Sequence, residues 1–154
     1  MSTPGTVTAI HLAPAREAPV AAVERVEAVA GTGLRGDRYF EDGADAARQL
    51  TLVESEELER LARDHGIALA PGASRRQLTT RGVRLNPLVG RRFRIGEVEC
   101  RGVELCEPCT DLARSVDRFE ILRAFAHRAG LNAEILTSGE IAVGAPIVVL
   151  DDDA

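Results

Sequence analysis

Hydrophobic positions along this chain come in short, β-branched runs rather than in long helical faces. Thr6–Leu12 alternates weakly between apolar and polar residues, as a strand with one buried face does. Val20–Val29 carries Val at 20, 23, 26 and 29. That spacing fits neither period cleanly, but the β-branched content predicts a second strand. Gln49–Val53, Leu78–Thr80, Arg91–Ile95, Val98–Leu105 and Leu131–Thr137 read as further strands. Ile141–Leu150 is β-branched and broken at Gly144-Ala145-Pro146. Two helices interrupt the series. The first is predicted after Ser55 as N-cap, with Leu58, Leu61, Ala62 and His65 on one face and Gly66 as its stop. The second is predicted after Asp117 as cap, with Phe119, Leu122, Phe125 and Ala126 turned to the core and Gly130 closing it. About seven or eight closely spaced strands with few long crossovers predict a mainly β (α+β) fold. The expected form is a closed or nearly closed β-barrel with helices at its rim. One domain spans residues 5–150, and 151–154 form an acidic tail.

Composition narrows the function. With 154 residues, 45% hydrophobic and 28% charged, the chain suits one globular core. No apolar run reaches membrane-spanning length, and the N-terminus does not read as a signal peptide. Three cysteines, an odd number, do not suggest a disulfide scaffold; the expected compartment is the reducing cytoplasm. The net charge of −5 argues against nucleic-acid binding, and 3% aromatics leaves little for base stacking. All 19 basic residues are Arg. Without Lys the chain can neither hold pyridoxal phosphate as a Schiff base nor supply a P-loop cation.

Three segments carry candidate chemistry. Leu105-Cys106-Glu107-Pro108-Cys109 follows the strand Val98–Leu105, so its thiols stand where a strand runs out, beside a carboxylate and a stiff turn. They are either small core hydrophobes or reactive groups. A structural zinc site needs four ligands and a second pair of cysteines, which the sequence lacks. A redox pair usually opens a helix in a βαβ context rather than following a run of strands. The remaining reading is a thiolate that holds a soft transition metal or a sulfur atom. Gly33-Leu34-Arg35-Gly36-Asp37-Arg38 combines permissive glycines with opposite charges, either a turn with a surface ion pair or backbone N–H groups presented to a ligand. Arg75-Arg76-Gln77-Leu78-Thr79-Thr80 offers two guanidiniums, an amide and hydroxyls, suited to a phosphate and a polar heterocycle or simply to a solvated loop. His65 and His127 read as structural residues near helix ends, and Cys100 as core.

Taken in order, these segments resemble MOSC domains, which are named after the C-terminal part of molybdenum cofactor sulfurase. The resemblance rests on Gly33-x-x-Gly36-Asp37-Arg38, Gln49-Leu50-Thr51-Leu52, Arg75-Arg76-Gln77-Leu78-Thr79-Thr80-Arg81-Gly82, Cys106-x-Pro108-Cys109, and Gly130-Leu131 through Val143-Gly144. It covers nearly the whole chain. It implies a β-barrel of mixed topology with two or three peripheral helices, and a site for the molybdenum cofactor (molybdopterin), a pterin dithiolene with a phosphate. Cys109 corresponds to the metal-ligating Cys, with Glu107 as its acidic partner. Arg75 and Gln77 correspond to an Arg-x-Asn element that contacts the cofactor. Gln77 thus stands where Asn is usual, and Gly144-Ala145 stands where Gly-Asp is frequent. Arg76 and Thr79 would join the phosphate side, while Gly33, Gly36, Asp37 and Arg38 would line the mouth. The activity implied is reduction of N-hydroxylated small substrates, with electrons from a partner protein. The alternatives are a sulfur carrier that takes a Cys109 persulfide from a sulfur-donor protein, and a non-catalytic cofactor carrier.

Overall fold

The computed structural model describes residues 4–16 and 18–150; the acidic tail lies outside them. Eleven strands form among the described residues: β1 (Gly5–Leu12), β2 (Ala21–Val23), β3 (Arg25–Val29), β4 (Gly33–Leu34), β5 (Leu50–Glu54), β6 (Leu78–Arg81), β7 (Arg92–Ile95), β8 (Val98–Leu105), β9 (Leu131–Ile135), β10 (Gly139–Ala142) and β11 (Pro146–Val149). Three helices accompany them: α1 (Ser55–His65), α2 (Thr110–Val116) and α3 (Ile121–Ala124). Seven strands close a barrel in the order β11-β7-β8-β9-β5-β6-β1. Its seam is β1 on β11, with Gly5 opposite Ile147 and Thr6 opposite Pro146. β2 extends the sheet beyond β1, and β10, β3 and β4 make a separate three-stranded sheet. Closure leaves those seven strands without free edges, which is how small β proteins escape edge-to-edge association.

Among the barrel pairings only β5 with β6 is parallel, Leu52 lying opposite Leu78. A parallel pair needs a crossover, and α1 supplies it. β5 is therefore buried on both faces. Leu50 and Leu52 point into the barrel with Phe93, Ile95, Val98, Cys100, Leu131 and Ile135. Val53 points outward, into a second apolar cluster with Leu61, Leu112, Ile121 and Phe125 under the helices. Each exclusion of an aromatic or branched side chain from water contributes roughly 1.5–3 kcal/mol. Glycine is obligatory at two crossings. A Cβ on Gly102 would stand 2.1 Å from the Leu88 carbonyl oxygen, and one on Gly130, at φ +119, would stand 2.0 Å from that of Leu52.

Three local expectations are corrected. The stretch Val20–Val29 is two strands in two sheets, because β2 pairs with β1 whereas β3 pairs with β10. α1 begins on Glu54 as its cap rather than Ser55, without a side-chain capping bond. Asp117 does not open a helix. At φ 54 it closes α2, its N–H bonding back to the Arg114 carbonyl and the next residue's, Arg118, to that of Ala113. Asp tolerates this left-handed geometry better than most residues, so one side chain can serve as either an N-cap or a C-terminal stop. The short α3 comes after it. Its core face is Ile121, Ala124 and Phe125, while Phe119 is 53% exposed.

Candidate functional site

β8 leaves the barrel at Leu105 and runs straight into the two cysteines. Four anchors fix that exit. The Cys106 N–H donates to the Gly130 carbonyl at 2.8 Å. Arg76 Nη2 donates to the carbonyls of Cys106 (3.4 Å) and Glu107 (3.3 Å). The Glu107 carboxylate accepts from the His127 backbone N–H at 2.7 Å, and its other oxygen lies 2.7 Å from His127 Nδ1. Finally, the Cys109 carbonyl accepts from Ala113 N–H at 3.0 Å as the first bond of α2. Held this way, Cys106 is half-buried and Cys109 exposed. Burial pushes the Cys106 thiol up, and the nearby Arg76 charge opposes that rise. Cys100, on the barrel side of the same strand, is fully buried and its thiol is pushed up to about 12.

The two arginines ahead of β6 have different surroundings. Arg75, with φ 62, sends Nη2 to the Arg16 carbonyl at 3.0 Å and makes longer contacts to that of Ala18. Among the described residues its Nε–H donates to no acceptor, so Arg75 is only partly committed to protein. Arg16 in turn pairs with Asp111 at 2.9 Å, two residues past Cys109. Arg76 is 7% exposed. Beyond the two loop carbonyls, it donates to the carbonyls of Ala129 (2.8 Å) and Ser74 (3.1 Å). Gln77 faces the other way. Its amide nitrogen donates to Asp37 at 2.8 Å, and its amide oxygen accepts from Thr51 N–H at 2.9 Å. Asp37 is buried and also accepts from the N–H groups of Ala13 (3.0 Å) and Tyr39 (3.2 Å). The Gly-Asp-Arg and Arg-Arg-Gln segments, distant in sequence, are therefore locked together by an amide–carboxylate bond. Arg38 lies at the edge of this group, stacked on Tyr39 with 4.4 Å from guanidinium carbon to ring centre. Gly33 (φ 135) and Gly36 (φ 95) make the turn that brings Asp37 inward. Thr79 is held in β6, paired with both β1 and β5.

Two clusters result, joined through Arg75-Arg76-Gln77: the thiol loop over Arg76, and the buried Asp37–Gln77–Thr51 network. Two surface hollows of about 650 and 550 Å³ lie beside Phe119 and beside Arg38; neither is lined by Cys106 or Cys109. The pairing of Glu107 with His127 and of Arg16 with Asp111 was missed by sequence reading. Both link residues distant in the chain, and neither leaves a local pattern.

Among the described residues, no group of three or more His, Cys, Asp or Glu side chains could hold a metal ion. The thiol loop offers one exposed soft donor. A bare ion would find too few ligands there, whereas a metal that brings its own sulfur ligands needs only that one. The donor set fits the molybdenum cofactor in this respect. The phosphate side fits through Arg75 alone, since the donors of Arg76 and Gln77 are turned to protein acceptors.

The family model for the MOSC domain matches residues 8–148, and the chain belongs to that family. Its fold is similar to that of the YuaD protein from Bacillus subtilis, with a TM-score of 0.83, 16% identity and 94% of each chain covered. It is also similar to YiiM from Geobacillus stearothermophilus (TM-score 0.75, 18% identity, covering 96% of this chain and 76% of that one). YiiM from Escherichia coli gives a TM-score of 0.71 at 20% identity, over all of this chain and 72% of that one. No curated protein matches. The closed seven-stranded barrel of mixed topology with few peripheral helices is the architecture of these relatives. No helix among the described residues is long and apolar enough to cross a membrane.

Proposed function

We propose that this MOSC protein binds the molybdenum cofactor through Cys109 and reduces small N-hydroxylated compounds with electrons from a partner protein. The observation that carries the reading is the exposed Cys109 thiol, a single soft donor on a loop anchored at both ends. When bound, the cofactor supplies a two-electron redox centre. Cys109 Sγ is the protein's ligand to its metal. Arg75, half-buried rather than fully enclosed, pairs with the phosphate, a charge-assisted contact worth about 1.5–3 kcal/mol. Glu107 and His127 form an exposed carboxylate–imidazole pair, with Glu107 two residues from the thiol. Cleaving an N–OH bond to N–H and water consumes two electrons and two protons, and this pair can pass protons in from solvent. Asp37 and Gln77 act beneath the surface, fixing the turn and the start of β6.

A second reading, sulfur transfer through a Cys109 persulfide, is favoured by the open position of the thiol, away from either hollow. One experiment separates the two. Protein from a cofactor-synthesising host is given an amidoxime with a reduced viologen dye, and separately a cysteine desulfurase with cysteine. Turnover of the amidoxime, with Cys109 refractory to persulfidation, supports the reductase. One added sulfur on Cys109 without turnover supports the carrier.

A further inference from the structure

Arg76 is the most unusual charge in the molecule. A guanidinium taken almost wholly out of water is normally matched by a carboxylate. Here its acceptors are four backbone carbonyls, of Ser74, Ala129, Cys106 and Glu107. No carboxylate among the described residues pairs with it. Those carbonyls come from three separate parts of the chain: the turn before β6, the residue preceding Gly130, and the thiol loop. Only a planar fork with five donors reaches such a set at once. Sequence reading placed Arg76 on a phosphate, but an anion at this guanidinium would have to displace carbonyls that fix the loop.

We infer that Arg76 is a positioning residue, the internal clamp that sets the Cys106–Cys109 loop and turns Cys109 outward and Cys106 inward. The tandem arginines thus divide their work, Arg75 being the one open to an anion. Two features make the clamp more than a pillar of the fold. Its two Nη2 bonds go to the loop itself, and the loop's other flank is held independently by His127 on Glu107. Loss of the guanidinium should therefore free the near side of the loop while the barrel stays closed. The inference deepens the reading of Cys109 as the working thiol. Its test needs no cofactor, so failure of one leaves the other standing.

The three cysteines provide the readout. Cys109 reports the exposed end of the loop, Cys106 the half-buried end, and Cys100 the barrel interior. Alkylation by iodoacetamide is followed for each by peptide mass analysis in the wild type, Arg76→Ala, Arg76→Lys and the control Arg81→Ala. The control removes an ion pair with Glu59 on the surface. Arg76→Ala should speed Cys106 at least about tenfold, the gain in access outweighing the loss of the charge that favours its thiolate, and alter the Cys109 rate, with Cys100 remaining unreactive. Millimolar guanidinium ion, but not sodium, should restore the wild-type rates by refilling the vacated site. Arg76→Lys, with three donors in place of five, should fall between. Unchanged Cys106 reactivity in Arg76→Ala would overturn the inference. So would a joint rise of all three thiols that guanidinium does not reverse, because Arg76 would then be holding the whole fold.

Discussion

Cys100 and Cys109 lie on one continuous stretch of chain, β8 and its exit, yet their environments are opposite. Around Cys100 the strand is flanked by β7 and β9, the side chain lies in the apolar barrel core, and burial pushes its thiol up to about 12. Past Leu105 the ladder ends; Arg76 and His127 donate to the exit loop, and the Gly130 carbonyl accepts from its Cys106 N–H. The barrel interior is specified by apolar periodicity and excludes chemistry. The exit is specified by long-range polar contacts and exposes a thiol. The contrast teaches that the fold supplies a rigid rim on which a few polar anchors aim one thiol.

The largest expected break in this comparison is Gly130→Ala. The new Cβ has no room against Leu52, and the positive φ adds strain, so stability should fall by more than about 3 kcal/mol. Because the Gly130 carbonyl also anchors Cys106, denaturant unfolding and Cys106 alkylation should both shift. Asp37→Ala comes next. It strands the N–H groups of Ala13 and Tyr39 and the Gln77 amide, and should cost about 2–3 kcal/mol by urea unfolding. Gln77→Asn, the family's usual residue, cannot span Asp37 and Thr51 together and should cost about 1–2 kcal/mol. Thiol reactivity in cofactor-free protein should sharpen the contrast without any change in stability: Cys109 reacts at least about tenfold faster than Cys106, and Cys100 reacts only on unfolding.

The smallest effect concerns His11, buried on β1 with Nδ1 unpartnered among the described residues. Burial lowers its pKa below 6.5, so the unfolded chain takes the proton more readily. Its contribution is therefore complete above the unfolded value and is lost as pH falls below it. In His11→Phe, urea midpoints compared at about pH 8 and about pH 5 should differ less than in the wild type.

Most barrel strands were legible because the barrel buries one face of nearly every strand and leaves a period-two trace; β5, buried on both faces, showed instead as a β-branched apolar run. β8 was read to the residue, and β5 was placed one residue early. Of the helical rim, α1 was legible from its apolar face and the Gly66 stop, whereas α2 and α3 were not. α2 carries no long apolar face, and Asp117 reads equally as a start and a stop. Of the site, Cys109 and the Arg-Arg-Gln and Gly-Asp-Arg segments were visible as residue types. What each guanidinium donates to was not, because Arg76 meets Cys106 and Glu107 across a long sequence separation. Family resemblance suggested the cofactor, whereas the hydrogen bonds of Arg76 and Gln77 to protein acceptors moved Arg75 to the fore in the proposal.

The most direct test of the central claim is molybdenum and pterin content in protein made in a cofactor-synthesising host. The account predicts about one metal per chain in the wild type and in Cys100→Ala, and retention of most of it in Cys106→Ser. Cys109→Ser should lose nearly all of it while unfolding at the same denaturant concentration. A wild-type protein free of molybdenum, or a Cys109→Ser variant that retains it fully, would contradict the assignment of Cys109 as the metal's protein ligand.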